Sequence, residues 1–278
     1  MVPPASCGKQ GQLAATVAGL RRLNLFLKGN TDLRDTLHSC RVNGVLAWNG
    51  LNDLMRQQHP GLSLRLRHET WSRSDALLAS DGTVPAALAG RNLPLGALTP
   101  AMQFSRALFE TPVDAVILSL QPDIATNLVR HRQEGWLFQA AHAESWPAED
   151  QAWLRAAFEP LPMLDVATAM ANLERIVAAC QAQAEVPVLV YNLSAAVPGE
   201  LVHCHLGLED SQATRIRRFN LGLVELSQRT GISVVDVDAL VARHGADRLL
   251  LDSFHLTPEG CRLVAGEVAR VLEDVLCL

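Results

Sequence analysis

The sequence predicts an α/β protein, a three-layer α/β/α sandwich built on a parallel five-stranded sheet. Two observations carry that expectation. Five short apolar runs alternate with segments whose apolar residues recur at helical spacing. Runs such as Asp114-Ala115-Val116-Ile117-Leu118-Ser119-Leu120 are nearly continuous in aliphatic residues, the pattern of strands covered on both faces.

Taken in order, residues 12–20 read as a helix leading into Leu23-Asn24-Leu25-Phe26-Leu27, the first strand. Lys28-Gly29-Asn30-Thr31-Asp32 closes it, and Leu33-Arg34-Asp35-Thr36-Leu37 opens a helix. A side chain in that turn stands at the strand's carboxyl end, beside the positive end of a helix. Residues 44–58 read as helix or loop, and His59-Pro60-Gly61 breaks the chain. Leu62-Ser63-Leu64-Arg65-Leu66-Arg67 alternates strictly, as a strand buried on one face does, and so belongs near a sheet edge. The polar stretch from His68 to Asp75 enters a helix, while residues 82–112 show no clear period.

The third strand, 114–120, is closed by Gln121-Pro122-Asp123. An insertion at about 130–172 carries Trp136, Trp146 and Trp153 among charged residues, and suits either a helical cover over a pocket or a packing hairpin. A helix over 168–184 precedes the strand Val186-Pro187-Val188-Leu189-Val190-Tyr191-Asn192. A loop to about 210, a helix over 211–229 and the strand Ile232-Ser233-Val234-Val235-Asp236-Val237 follow. No internal repeat or domain boundary is visible, so a single domain over 1–278 is expected.

With 278 residues the chain can bury a sizeable core. Its net charge of −5 and the absence of a basic run exclude nucleic acid and an anionic membrane surface as expected partners. Arg21-Arg22 and Arg215/Arg217/Arg218 read as solvated element ends. No apolar stretch approaches the roughly 20 residues of a bilayer span, and the first residues lack a secretory pattern, so a cytoplasmic location is expected. Cys7, Cys40, Cys180, Cys204, Cys261 and Cys277 are scattered without a C-x-x-C pair, which points to free thiols, with Cys261 and Cys277 as small core residues of the last helix. His203-Cys204-His205 lacks a third ligand at a recognisable spacing, and neither metal nor cofactor is expected.

Ligands of open parallel sheets collect beyond the carboxyl ends of the strands. The loops 29–32, 68–75, 121–123, 192–194 and 252–255 all fall at that rim. The last of them holds Asp252-Ser253-Phe254-His255, followed by Thr257 to cap a helix, Pro258 to begin it and apolar periodicity from Glu259 to Leu276. A histidine so fixed, with a carboxylate in reach of its second ring nitrogen, meets the requirements of a general base. The same spacing also suits a solvated surface turn.

This layout and the block Asp252-Ser253-Phe254-His255-Leu256-Thr257-Pro258-Glu259-Gly260 resemble the SGNH/GDSL hydrolase superfamily, whose flavodoxin-like sheet ends in an Asp-x-x-His pair before the last helix. Arg218-Phe219-Asn220 and Gly231-Ile232-Ser233-Val234-Val235-Asp236-Val237 are similar to that family's lead-in. Three other blocks depart from its pattern. Gly29-Asn30-Thr31 stands where the family has Gly-Asp-Ser, Trp71-Ser72-Arg73-Ser74 lacks the oxyanion glycine, and Leu120-Gln121-Pro122-Asp123 replaces Gly-x-Asn-Asp.

The resemblance implies hydrolysis of an ester or thioester in a small-molecule or carrier-bound acyl substrate, with Thr31 as nucleophile, His255 as base and Asp252 as its orienting partner. Gly29, Asn30, Ser72, Ser74, Gln121 and Asn192 are the candidates for binding substrate or oxyanion. An SGNH-like acyltransferase, or a binding module on an altered scaffold, remains open. Ser39 and Cys40 are expected about two turns into the first helix, too far from the rim to replace Thr31. Asp32 and Arg34 suit either a polar substrate group or the helix dipole, His38 and His244 are expected in solvent, and Asp123 is expected to cap the helix that follows it.

Overall fold

The computed structural model describes residues 21–182, 184–196, 198 and 211–278. The expected helix at 12–20, Cys7, Cys204 and the His203-Cys204-His205 triplet lie outside them.

The strands Arg21–Lys28, Leu62–Glu69, Ala115–Ser119, Val188–Tyr191 and Ser233–Val235 form the predicted parallel sheet. Counted along the chain, they lie in the order fifth, fourth, third, first, second, so the alternating strand Leu62–Glu69 is at an edge. Chain order reverses at the first strand, which leaves a crevice beyond the carboxyl ends of the first and third strands. The register sets Leu25 beside Leu66 on one side and Ala115 on the other.

Side-chain alternation divides the apolar residues between two cores. Leu23, Leu25 and Leu27 face helix Leu51–Gln58 and helix Pro258–Leu276, meeting Leu51, Met55, Val264 and Val268. Phe26, Val116, Leu118 and Val190 face the other way, toward helices Val166–Gln181 and Gln212–Thr230. Each such side chain, fully buried, contributes about 1.5–3 kcal/mol relative to exposure. The helices start where oxygens can take orphan N–H groups: Asp165, Ser211, Asp236 and Thr257 all accept such a bond at their N-caps. Gly231 ends Gln212–Thr230 in the left-handed conformation that glycine tolerates (φ 70°).

Several elements differ from expectation. The helical turn after the first strand stops at His38, its last five residues in π-helical form, and Cys40–Val42 pairs with Val45–Trp48 as a hairpin. Ser39 and Cys40 are therefore not in a helix, and the 44–58 stretch is half strand, half helix. The insertion is a three-stranded antiparallel sheet, Val129–His131, Leu137–Phe138 and Phe158–Pro160, with helix Ala148–Ala157. It folds on its aromatics, Trp136 stacking on His131 with ring centres 4.8 Å apart, and packs against Leu88, Leu95 and Phe104.

Asp123 lies inside helix Gln121–Ala125 and accepts the N–H of Ser74 (2.7 Å), so it serves the start of helix Ser74–Ala79 instead of its own. Arg215 is not a solvated end either, because its guanidinium donates to the carbonyls of Asp123, Ile124 and Leu164. Cys40, Cys180 and Cys261 are free thiols; Cys261 is buried, whereas Cys277 lies just past the last helix and is exposed. Among the described residues no helix is long and apolar enough to cross a membrane, and no group of three or more His, Cys, Asp or Glu is placed to hold a metal ion.

Candidate active site

The turn leaving the first strand is fixed from below. Gly29 has no room for a side chain, since a Cβ there would stand 2.6 Å from Leu33 Cδ1 and 2.8 Å from Ser119 Cβ. Asp32 Oδ1 accepts the N–H of Asn30 (3.1 Å), and Ser119 Oγ donates to Asp32 Oδ2 while accepting the N–H of Gln121 (3.1 Å). One carboxylate and one hydroxyl thus tie the turn carrying Thr31 to the turn carrying Gln121. Burial pushes the Asp32 carboxyl above the usual range, with the Ser119 hydroxyl and the N–H groups of Leu33 and Asn30 opposing it. Thr36 Oγ1 donates to the Asp32 carbonyl (2.6 Å) and lies 3.3 Å from the Tyr191 hydroxyl.

The second half of the site is the turn before the last helix. A bridge between Leu250 and Leu256 and a bond from Leu251 N–H to His255 O (2.7 Å) close that turn. Thr257 Oγ1 accepts the Gly260 N–H and donates to Arg248 O. Asp252 Oδ1 accepts the N–H groups of Phe254 and His255 (2.8 Å each), and His255 Nδ1 lies 2.8 Å from Asp252 Oδ2. Burial works to raise the Asp252 carboxyl, but the bonds from Phe254 and His255 outweigh it and hold the group below the usual range. An ionised Asp252 requires the His255 proton on Nδ1, leaving Nε2 as an acceptor. Both side chains are about half exposed (47% for His255).

Thr31 and His255 line one narrow crevice, walled by Asp32, Asp35, Phe254 and Leu256, and no hydrogen bond joins them. Thr31 also borders a second cavity, of about 550 Å³, together with Asn30, Arg34, His68, Gln121 and His142. Residues 95–99 and Met102 form that cavity's largely apolar wall. Gln121 makes no side-chain hydrogen bond, and its Oε1 is buried without a partner. Asn30 Oδ1 is likewise buried and unpartnered.

Of the expected binding residues, Asn30 and Gln121 meet Thr31 at the cavity, while Gly29 shapes the turn beneath. Ser72 and Ser74 do not. Both are buried away from these cavities, and Ser74 Oγ accepts from Asn172 Nδ2 (3.1 Å). Asn192 borders a neighbouring crevice, but its amide is occupied: Nδ2 donates to Asp236 and Oδ1 accepts the Asp238 N–H.

Reading the sequence missed the parts played by Ser119, His142 and His68. His68 had a signal, because it continues the inward Leu62, Leu64, Leu66 series at period two. Its Nε2 lies 3.0 Å from Gly29 O, the geometry of an N–H donor. Burial pushes its pKa below the usual value, helped by the charges of Arg34 and His38, so the ring is neutral near pH 7.

No family model matches the chain, and no curated protein matches it in sequence. Solved structures do match it in shape. An acetyl xylan esterase, AlAXEase, is 13% identical, with 91% of this chain and 100% of that chain covered and a TM-score of 0.51. A variant of an acetyl-xylooligosaccharide esterase from Geobacillus Stearmophilus is 11% identical, with 89% and 93% covered and a TM-score of 0.51. A member of the lipolytic protein G-D-S-L family from Veillonella parvula is 11% identical, with 90% and 98% covered and a TM-score of 0.46. The parallel five-stranded sheet with helices on both faces is thus a fold this chain shares with the two acetylesterases.

Proposed function

We propose that the protein hydrolyses esters or thioesters through an acyl-enzyme formed on Thr31. The observation that carries this reading is the shared crevice: a hydroxyl at the carboxyl end of the first strand and an imidazole oriented by a carboxylate line the same small space. Fold by itself does not assign chemistry, so the weight falls on these side chains.

In the proposed reaction His255 Nε2 takes the Thr31 Oγ1 proton as Oγ1 attacks the acyl carbon. The carbonyl π pair moves onto oxygen, then returns as the bond to the leaving oxygen or sulfur breaks, and His255 gives its proton to the leaving group. Water repeats the sequence in reverse and frees Thr31. Asp252 holds the ring in the required tautomer and stabilises its charged form. The N–H of Thr31 and the unpaired amide of Gln121 are the oxyanion donors in this scheme. Loss of one such donor typically costs about 100–1,000-fold in kcat. The methyl group of threonine restricts χ1 and crowds the attack, which predicts a slow enzyme.

The direct test measures turnover of p-nitrophenyl acetate and short-chain thioesters by the wild type, His255→Ala, Thr31→Ala and Thr31→Ser. His255→Ala and Thr31→Ala are expected to lose at least about 1,000-fold in kcat/KM, and Thr31→Ser to retain or exceed wild-type turnover. Equal rates for the wild type and His255→Ala refute the proposal. Adding sugar acceptors to the same assay reports transfer in place of hydrolysis, since both pass through one acyl-enzyme.

A further inference from the structure

The two spaces beside Thr31 are unlike each other. The crevice with His255 also holds Asp32 and Asp35, and it is too narrow for more than the reacting atoms. The second cavity, about 550 Å³, is in the range of small-molecule sites and far larger than an acetyl group requires. In triad chemistry the leaving group departs beside the histidine, which does not line the cavity, so the cavity is the space left for the acyl chain.

The charge around this cavity is one-sided although the chain as a whole is acidic. Its lining carries one fixed cation, Arg34, beside the neutral His68 and the exposed His142, and contains no Asp or Glu. Arg34 Nε donates to Asp35 Oδ1 (2.8 Å), but the two terminal nitrogens of the guanidinium make no hydrogen bond to any described residue. Asp35 borders the His255 crevice and not the cavity, so it leaves the open end of the guanidinium fork unopposed there. The nearby buried carboxylate of Glu69 is already paired, with Lys28 at 3.0 Å and Arg67 at 2.7 Å. His68 is committed to Gly29 O, and His142, 70% exposed, contributes little beyond its position. Leu95, Leu98 and Met102 supply the apolar part of the lining, and the Arg34 side chain, 48% exposed, is open to solvent as well as to the cavity.

Building on the hydrolase reading, we infer that the acyl half of the substrate carries an anionic terminus, a carboxylate or another small oxyanion, held by Arg34 in this cavity. A planar fork whose two terminal nitrogens are free matches an oxyanion in a bidentate pair, while the methylenes between the anion and the ester meet the apolar wall.

The test compares p-nitrophenyl monosuccinate and p-nitrophenyl 3-sulfopropionate with the neutral p-nitrophenyl butyrate. It uses the wild type, Arg34→Gln and Arg34→Lys, each checked for native folding by circular dichroism. Calorimetric titration with succinate, and with neutral succinamide as control, reads binding without turnover. The wild type is expected to favour the anionic esters, and Arg34→Gln to lose at least about tenfold of that preference through KM, with partial recovery in Arg34→Lys. Preference for only one of the two anionic esters identifies the terminus as carboxylate or sulfonate-like. Equal cleavage of charged and neutral esters, with the ratio unchanged in Arg34→Gln, overturns the inference and leaves the hydrolase standing. If no ester is cleaved, the hydrolase reading fails. Succinate binding abolished by Arg34→Gln then still supports the anion site, and absence of binding removes it.

Discussion

Replacing Asp123 by asparagine removes the titration of one buried carboxyl while keeping an oxygen for the Ser74 N–H. Burial pushes Asp123 up to about 7, from an ordinary 3.8, against the hydrogen bonds of Ser74 and the charge of Arg73. A carboxyl with a raised folded pKa contributes stability that is fully present below 3.8 and is lost as pH rises through 7. At 1.36 kcal/mol per pH unit the whole loss is about 4 kcal/mol, and about 3 kcal/mol of it falls between pH 5 and pH 8. For a chain of this length that is roughly 5 °C in Tm. The asparagine variant carries no such loss, so its Tm should gain on that of the wild type by about 5 °C when the pH is raised from 5 to 8. Thermal unfolding followed by circular dichroism at the two pH values gives this difference directly, because every other titrating group is common to both proteins. A Tm difference that stays constant from pH 5 to pH 8 refutes the assignment of a neutral, buried Asp123 at low pH.

Gly29→Ala forces a Cβ against Leu33 and Ser119, and should cost about 1–3 kcal/mol in urea unfolding together with most of the proposed esterase activity; a variant as stable and active as the wild type would show that the turn has slack. Thr257→Ala removes the N-cap of the last helix and should cost about 1 kcal/mol, with urea midpoints as the readout. Ser119→Ala deletes the hydroxyl between Asp32 and the Gln121 N–H, so kcat should fall more than KM rises, and stability should drop by about 1–3 kcal/mol; a pure KM effect would contradict its positioning role.

The five sheet strands were legible because their chemistry is local: alternating Leu62, Leu64, Leu66 announces one buried face, and 115–119 announces two. The turn before the last helix was legible for the same reason, since Asp252, His255 and Thr257 act within a few residues of each other. The hairpin at 40–48 was missed although Asn43-Gly44 signals a tight turn, because Val42, Val45 and Leu46 are exposed and the run lacks a one-sided pattern. Asp123 and Ser74, 49 residues apart, and Asp32 and Ser119, 87 apart, meet only through the fold. A cap supplied by a distant helix has no spacing to read. Ser72 and Ser74 were misplaced on this account: hydroxyls in a rim loop suit an oxyanion, but these point into the core, where Asn172 and Asp123 already engage Ser74.

That contrast bears on how the two halves of the proposed site work. Thr31 is held by buried groups, with Asp32, Ser119 and the crowded Gly29 beneath it, so moving it means breaking hydrogen bonds shielded from water. Asp252 and His255 are held by bonds at the surface, with both side chains about half exposed, and such bonds are weaker and screened by salt. Under the proposed mechanism Thr31 is therefore the fixed partner and the His255 imidazole the adjustable one. No hydrogen bond joins Thr31 and His255, so in the proposed reaction closing the pair falls to a rotation of the His255 ring or its turn. Catalytic hydrogen bonds that tighten only once substrate is bound are common, and an acyl group held against Thr31 would bring its leaving group to Nε2.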